Sequence, residues 1–215
     1  MGQLSRWQIN RLSTISFSNY VETGTGLGVS LSHAIAEKSI KCFYSIDNDL
    51  RFTHSPELRR LLESTLSADQ NVQLLNCESD KGLLHVLPNL SKAATLFFLD
   101  AHFPHADFFN LPYRDSIVTY QHAALPLIRE LSLISMFRSS IPNDLIIVDD
   151  LLLFENGDYE FDRTHPAGAQ SIRDTLRKNH LYLDNCLEPI VRHIFGVNVT
   201  LERDYQHQGY LLIRY

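Results

Sequence analysis

The sequence has no block of lysines or arginines, although 19 such residues are spread along its 215 positions. Nucleic-acid binding driven by counterion release needs a clustered basic surface. With scattered cations and a net charge of −6, a small-molecule partner is expected and nucleic acid is not. No apolar run approaches the roughly 20 residues that cross a bilayer, so no membrane partner is expected. The run Met1-Gly2-Gln3-Leu4-Ser5-Arg6-Trp7 lacks the apolar stretch of a secretory signal. The three cysteines, Cys42, Cys77 and Cys186, form neither a CxxC pair nor an even set. Scattered thiols argue against a disulfide framework or a cysteine zinc site and fit a cytoplasmic setting. Repeats, low-complexity tracts and flexible linkers are absent too. The chain therefore reads as one domain, with 1–16 as an N-terminal helical extension.

What is present is an alternation of short apolar runs with amphipathic stretches. Phe17 to Val21 reads as a strand, followed by glycines and a helix from about Leu27 to Lys38. Lys41 to Ile46 is a strand ending in Asp47, and Pro56 to Leu66 is a helix with leucines at helical spacing. Val72 to Leu75 is a strand, Lys81 to Leu90 a helix, and Thr95 to Leu99 a nearly continuous apolar strand suited to a sheet covered on both faces. A helix is predicted from about Thr119 to Phe137, a strand at Leu145 to Val148, and a helix near Ala169 to Lys178. Val197 to Leu201 and Tyr210 to Ile213 flank Gln206-His207-Gln208-Gly209 as a hairpin. Repeated βα units predict an α/β fold: a doubly wound, Rossmann-like, seven-stranded and mostly parallel sheet whose C-terminal hairpin strand joins antiparallel. Ligands are then expected outside the carboxyl ends of the strands.

Gly24, Gly26 and Gly28 lie between the first strand and its helix. Lacking Cβ atoms, they permit a tight turn and a close backbone approach by a ligand. Asp47 falls 23 residues after Gly24, near the roughly 20-residue offset of an acid that accepts hydrogen bonds from ribose hydroxyls. An Asx turn in Asp47-Asn48-Asp49 is the competing explanation.

The run Tyr20-Val21-Glu22-Thr23-Gly24-Thr25-Gly26-Leu27-Gly28 resembles motif I of the class I S-adenosylmethionine-dependent methyltransferases, which has an acid two residues before its first glycine. Dinucleotide-binding dehydrogenases usually place an apolar residue there and follow GxGxxG. The resemblance implies that Thr23, Gly24, Gly26 and Gly28 cradle the methionine part of S-adenosylmethionine, with Glu22 organising the loop near its amino group. It implies that Asp47 meets the ribose and that Glu78 and Ser79, after the third strand, meet the adenine, with Asp100 also beside the cofactor. Cys77 reads as a small buried hydrophobe.

Asp100 and the pair Asp149-Asp150 follow apolar strands, where an unpaired buried carboxylate is costly. Three acids at one sheet edge suit a divalent cation such as Mg²⁺, which orients oxygens and lowers the pKa of a hydroxyl. Helix caps or arginine partners are the structural alternative. Leu99-Asp100-Ala101-His102 and Ile147-Val148-Asp149-Asp150 resemble the metal motifs of cation-dependent O-methyltransferases of the catechol and macrocin types, with Asp100, Asp149 and Asp150 in the ligand positions. Catechol enzymes have a catalytic lysine three residues after the first ligand. Phe103 stands there in this chain, leaving His102 or His105 as the base, with Asp100 beside the reaction and Asp107 a further local acid.

The runs Glu22 to Gly28, Ser45-Ile46-Asp47, Leu99 to His102, Pro126-Leu127-Ile128-Arg129-Glu130-Leu131 and Val148 to Phe154 are similar to those of a group of bacterial methyltransferase-like proteins with no agreed substrate. Phe103 to Asp115, rich in aromatics, reads as a lid or substrate wall or as a homodimer contact. Phe154 to His165, with Glu155, Asp158, Glu160 and Asp162, reads as a second wall or a solvated loop. The expected function is O-methylation of a small hydroxylated molecule. A non-catalytic cofactor-binding protein and a nicotinamide-dependent oxidoreductase are the alternatives.

Overall fold

The computed structural model describes residues 4–104, 106, 112–141, 143–156, 174–179, 187–206 and 209–215. Two 3-10 turns, Leu4–Arg6 and Ile9–Arg11, precede strand β1 (Asn19–Thr23). Then come helix α1 (Val29–Ile35), β2 (Cys42–Asp47), α2 (Leu50–Thr53), α3 (Pro56–Thr65), β3 (Asn71–Asn76) and α4 (Ser79–Val86). They are followed by β4 (Thr95–Leu99), α5 (Tyr113–Tyr120), α6 (Leu127–Arg138), β5 (Leu145–Val148) and α7 (Leu151–Asn156). Residues 174–178 are helical, and α8 (Leu187–Phe195), β6 (Thr200–Asp204) and β7 (Tyr210–Arg214) complete the described chain. The seven strands lie in the order β3-β2-β1-β4-β5-β7-β6. All neighbours are parallel except β7, which runs antiparallel to both β5 and β6.

The central strands are buried on both faces because alternate side chains enter two separate cores. Val21, Phe97, Leu99, Ile146, Val148, Leu211 and Ile213 pack beneath α4, α6 and α8. Tyr20, Leu96, Phe98, Leu145, Ile147, Tyr210 and Leu212 pack on the other face with α1 and the N-terminal turns, which bury Leu4 and Ile9. At the amino ends of β4 and β5, Arg138 forks onto Asp144 through Nε and Nη2 at 2.8 and 2.9 Å. Its guanidinium also donates to the carbonyls of Ser91 and Ala93. Both charges are thus buried yet satisfied.

Several segments differ from the sequence expectation: α2, α7 and α8 have no counterpart in it, and β1 runs Asn19–Thr23 rather than Phe17 to Val21. The helix predicted over Thr119 to Phe137 is two helices, α5 and α6, joined by a 3-10 turn at Gln121–Ala123. Gln121 has φ +45°, which a helix interior does not allow, and Pro126 cannot donate within a continuing helix. The helix predicted over Lys81 to Leu90 starts at Ser79 and becomes a 3-10 turn at Leu87, next to Pro88. Strand β6 begins at Thr200 rather than Val197, because Gly196 turns the chain at φ +93° and leaves Val197 81% exposed. In the aromatic segment, α5 already begins at Tyr113. The early part of the helix predicted near Ala169 lies outside the described residues, as do Asp158, Glu160 and Asp162. Cys42 and Cys77 are free thiols; Cys186 is outside the described set. Among the described residues, no helix is long and apolar enough to cross a membrane.

Candidate functional site

The glycine loop is held by its own N–H groups. Gly24 N–H donates to Ile46 O and Gly28 N–H to Thr25 O, each at 2.8 Å. Gly26 N–H donates to Asp47 Oδ2 at 3.0 Å. Gly24, at φ +82°, passes so close to β4 that a Cβ would lie 2.6 Å from Asp100 O. Gly26 is also left-handed, at φ +49°, but a Cβ there would meet nothing within 4 Å. One glycine is required by the protein's own packing, and the other faces open space.

Glu22 is fully buried on β1 and does not line the cleft described below. Tyr20 donates its hydroxyl to Glu22 Oε2 at 2.6 Å, and Ser45 donates to Oε1. The Thr25 and Ser45 hydroxyls are 2.6 Å apart. While Glu22 is ionised, Ser45 spends its only proton on the carboxylate, so Thr25 must be the donor in that contact. Burial raises the Glu22 carboxyl to about 7, offset in part by the two hydroxyl donors. Glu22 thus reaches the glycine loop through Ser45 and Thr25.

An open cleft lies beyond the carboxyl ends of β1, β2, β3, β4 and β5. Gly24, Gly26, Asp47, Glu78, Ser79, Asp100, His102 and Asp150 all line it, so most sequence-predicted site residues meet in one place. Thr23, Gly28 and Asp149 are not among its walls. His105 and Asp107 lie outside the described residues. The sequence reading missed Phe52, Asp80, Ala123 and Pro126, and it took Cys77 for simple core although that thiol also borders the cleft. Ion pairs brace the rim: Lys81 to Glu78 at 2.8 Å, Arg129 to Asp80 at 3.3 Å, and Arg51 to Asp49. Among the described residues, the lining contains six carboxyl groups and no Lys or Arg.

At the end of β4, His102 Nδ1 lies 2.9 Å from Asp100 O. A carbonyl only accepts, so Nδ1 carries the proton. The other nitrogen, Nε2, lies 3.2 Å from Asp150 Oδ2. Ligand atoms of Asp100, His102 and Asp150 all fall within 4.8 Å of one another. Asp149 is outside that group: its Oδ1 accepts from Asp150 N–H, and its Oδ2 meets no hydrogen-bond partner among the described residues. Burial, then the charge of Asp150, pushes the Asp149 carboxyl well above its usual range. Phe103 and Asp150 hold positive φ values of +41° and +53°, local strain of the kind found at binding sites. Behind this wall, Glu130 in the first turn of α6 is 1% exposed. Burial raises it to about 7.

Several solved structures share this architecture. A Podospora anserina methyltransferase, PaMTH1, bound to SAH, superimposes with a TM-score of 0.54 at 10% identity, over 92% of this chain and 71% of its own. The fold is that of the class I methyltransferases. A candidate S-adenosylmethionine-dependent methyltransferase from Methanococcus maripaludis matches at 0.51 and 13% identity, over 98% and 82% of the two chains. An O-methyltransferase family protein from Burkholderia thailandensis matches at 0.50 and 10%, over 98% and 53%. No protein-family model and no curated protein sequence matches the chain. At these identities the class I methyltransferase likeness concerns the fold, and chemistry must be argued from the site.

Proposed function

We propose that this chain is an S-adenosylmethionine-dependent methyltransferase that methylates an oxygen of a small hydroxylated molecule, a sugar or secondary metabolite, with a divalent cation at the acceptor. The observation that carries this reading is the state of the glycine loop. Gly24, Gly26 and Gly28 all spend their N–H groups within the protein, whereas a dinucleotide loop offers such groups to a pyrophosphate. An acidic lining with no Lys or Arg among the described residues repels a pyrophosphate and suits a cofactor carrying sulfonium and ammonium charges. The space at Gly26 and the Asp47 carboxylate fit the two parts of such a cofactor. This disfavours the nicotinamide alternative, and the fold neighbours named above support the methyltransferase one.

In this reading S-adenosylmethionine supplies an electrophilic methyl group, whose bond to sulfur breaks as the acceptor oxygen bonds to carbon, leaving a neutral thioether. The protein's part is positioning, which replaces a bimolecular encounter by a near-attack arrangement. Asp47 accepts from the ribose hydroxyls, using lone pairs left over from its bonds to Gly26 and Asp49. Glu78 and Ser79 face the adenine. The donor set of Asp100, His102 and Asp150 fits a divalent cation, which would lower the pKa of the acceptor hydroxyl. Where no cation occupies that donor set, Asp100 and His102 are the described groups placed to take the acceptor's proton.

Calorimetric titration with S-adenosylmethionine, with and without Mg²⁺, tests the reading on the intact chain and on Asp47→Ala. Binding that weakens in the variant supports it and turns the question to an acceptor panel. No binding under either condition overturns it.

A further inference from the structure

We propose that His102 is a metal ligand, and that Asp100, His102 and Asp150 together form a mixed carboxylate–imidazole site selective for a cation of the Mn²⁺ to Zn²⁺ series over Mg²⁺. This rests on the methyltransferase reading only for its setting; its argument is local. The Asp100 carbonyl fixes the His102 proton on Nδ1 at 2.9 Å. Nε2 of the neutral ring is then a lone-pair acceptor, and it faces a carboxylate oxygen of Asp150 at 3.2 Å. Either a proton on Nε2 or a bound cation reconciles two acceptors at that distance, and a second carboxylate beside them favours the cation. The spacing suits one, because two ligands at right angles on bonds of about 2.1 Å stand about 3 Å apart.

The Asp100 carboxylate completes the set, with all three ligand atoms within 4.8 Å of one another. The His102 and Asp150 side chains are only 8% and 5% exposed, so water competes poorly for the position. The Nδ1–H bond to a carbonyl is the usual outer support of a metal-bound imidazole. Mg²⁺ favours oxygen donors and keeps its waters, whereas imidazole nitrogen favours later divalent ions. Asp149, despite its place in the sequence motif, is not in the set, and its Oδ1 accepts from Asp150 N–H. A His102 used in this way on both nitrogens has no position left for a substrate proton, so the assignment removes it from the candidates for the base.

The test uses the 215-residue chain without cofactor or acceptor. Calorimetry with Mn²⁺ and with Mg²⁺ is expected to show Mn²⁺ binding at least about tenfold tighter. His102→Ala is expected to bring the two affinities to within about threefold, and Asp149→Asn to leave Mn²⁺ binding within about threefold of the parent. Electron spin-echo spectroscopy of Mn²⁺ on the unmodified protein is expected to show a ¹⁴N coupling, which needs no variant to fold. Equal affinities for the two ions, absence of cation binding, loss of Mn²⁺ binding in Asp149→Asn, or a spin echo without nitrogen each overturn the proposal. A parallel S-adenosylmethionine titration separates the two ideas: cofactor binding without metal binding sinks this inference alone.

Discussion

Asp47 Oδ2 accepts the Gly26 N–H at 3.0 Å, so the carboxyl group that ends β2 also holds the glycine loop that follows β1. Its other oxygen accepts from Asp49 N–H at 2.8 Å. The residue expected to bind ribose is thus also part of the scaffold that shapes the loop.

Replacing Asp47 should therefore cost more than one ligand contact. Charge-assisted hydrogen bonds contribute about 1.5–3 kcal/mol each, so Asp47→Ala is expected to raise the S-adenosylmethionine Kd about 100-fold. In Asp47→Asn, one amide oxygen accepts what two carboxylate oxygens did, and a rise of about tenfold is expected. Equal affinities in the parent and both variants, measured by calorimetry, would count against this dual role.

The glycines should separate into two kinds. In Gly24→Ala the new methyl collides with Asp100 O at 2.6 Å, parting the loop from β4. Its stability loss is expected to be about 2–3 kcal/mol by urea unfolding. Gly26→Ala meets no protein atom and bears only the left-handed penalty of roughly 1 kcal/mol. Its larger effect should be on cofactor affinity. A reversed ranking in stability would contradict the packing described.

Glu22 makes stability depend on pH. Burial raises its folded-state carboxyl to about 7, above its value in an unfolded chain. The native state therefore holds the proton more tightly. The associated stability is fully present below about pH 4.5 and is lost as pH rises to about 7. The gap of about 2.5 pH units corresponds to roughly 3 kcal/mol. Glu22→Gln, which has no charge to bury, should match the parent near pH 5 and exceed it near pH 8. Parallel urea midpoints for the two proteins from pH 5 to pH 8 would refute the assignment.

Arg138 and Asp144 offer a control remote from the cleft. Removing one member of a buried pair leaves the other charge uncompensated, at a cost of about 3–5 kcal/mol. Arg138→Met should lower the urea midpoint sharply while leaving the S-adenosylmethionine Kd within about twofold. A parallel loss of affinity would show that the two ends of the sheet are coupled.

Strands β4 and β5 were legible in the sequence because strands buried on both faces read as unbroken apolar runs. The glycine loop and Asp47 were legible because spacing and strand ends are one-dimensional properties. The break between α5 and α6 was not, since it depends on the backbone angle of Gln121. Pro126 alone marked it. The sequence grouped Asp149 with Asp150, but only Asp150, whose backbone is left-handed, lines the cleft. His102 meets Asp150 across two strands, a proximity set by register alone. Glu130 sat in view within its motif, yet its burial depends on how α6 lies over β1 and β4.

The slot between β5 and β6 is filled by residues 210–214, which reach it only after every other described strand has been made. Until that segment emerges from the ribosome, β5 presents a row of unpaired backbone groups flanked by Ile146 and Ile147. Such an edge is an invitation to intermolecular pairing. A nascent chain halted or clipped before Tyr210 would carry almost all of its fold together with an adhesive margin, making it a natural client for chaperones or proteases.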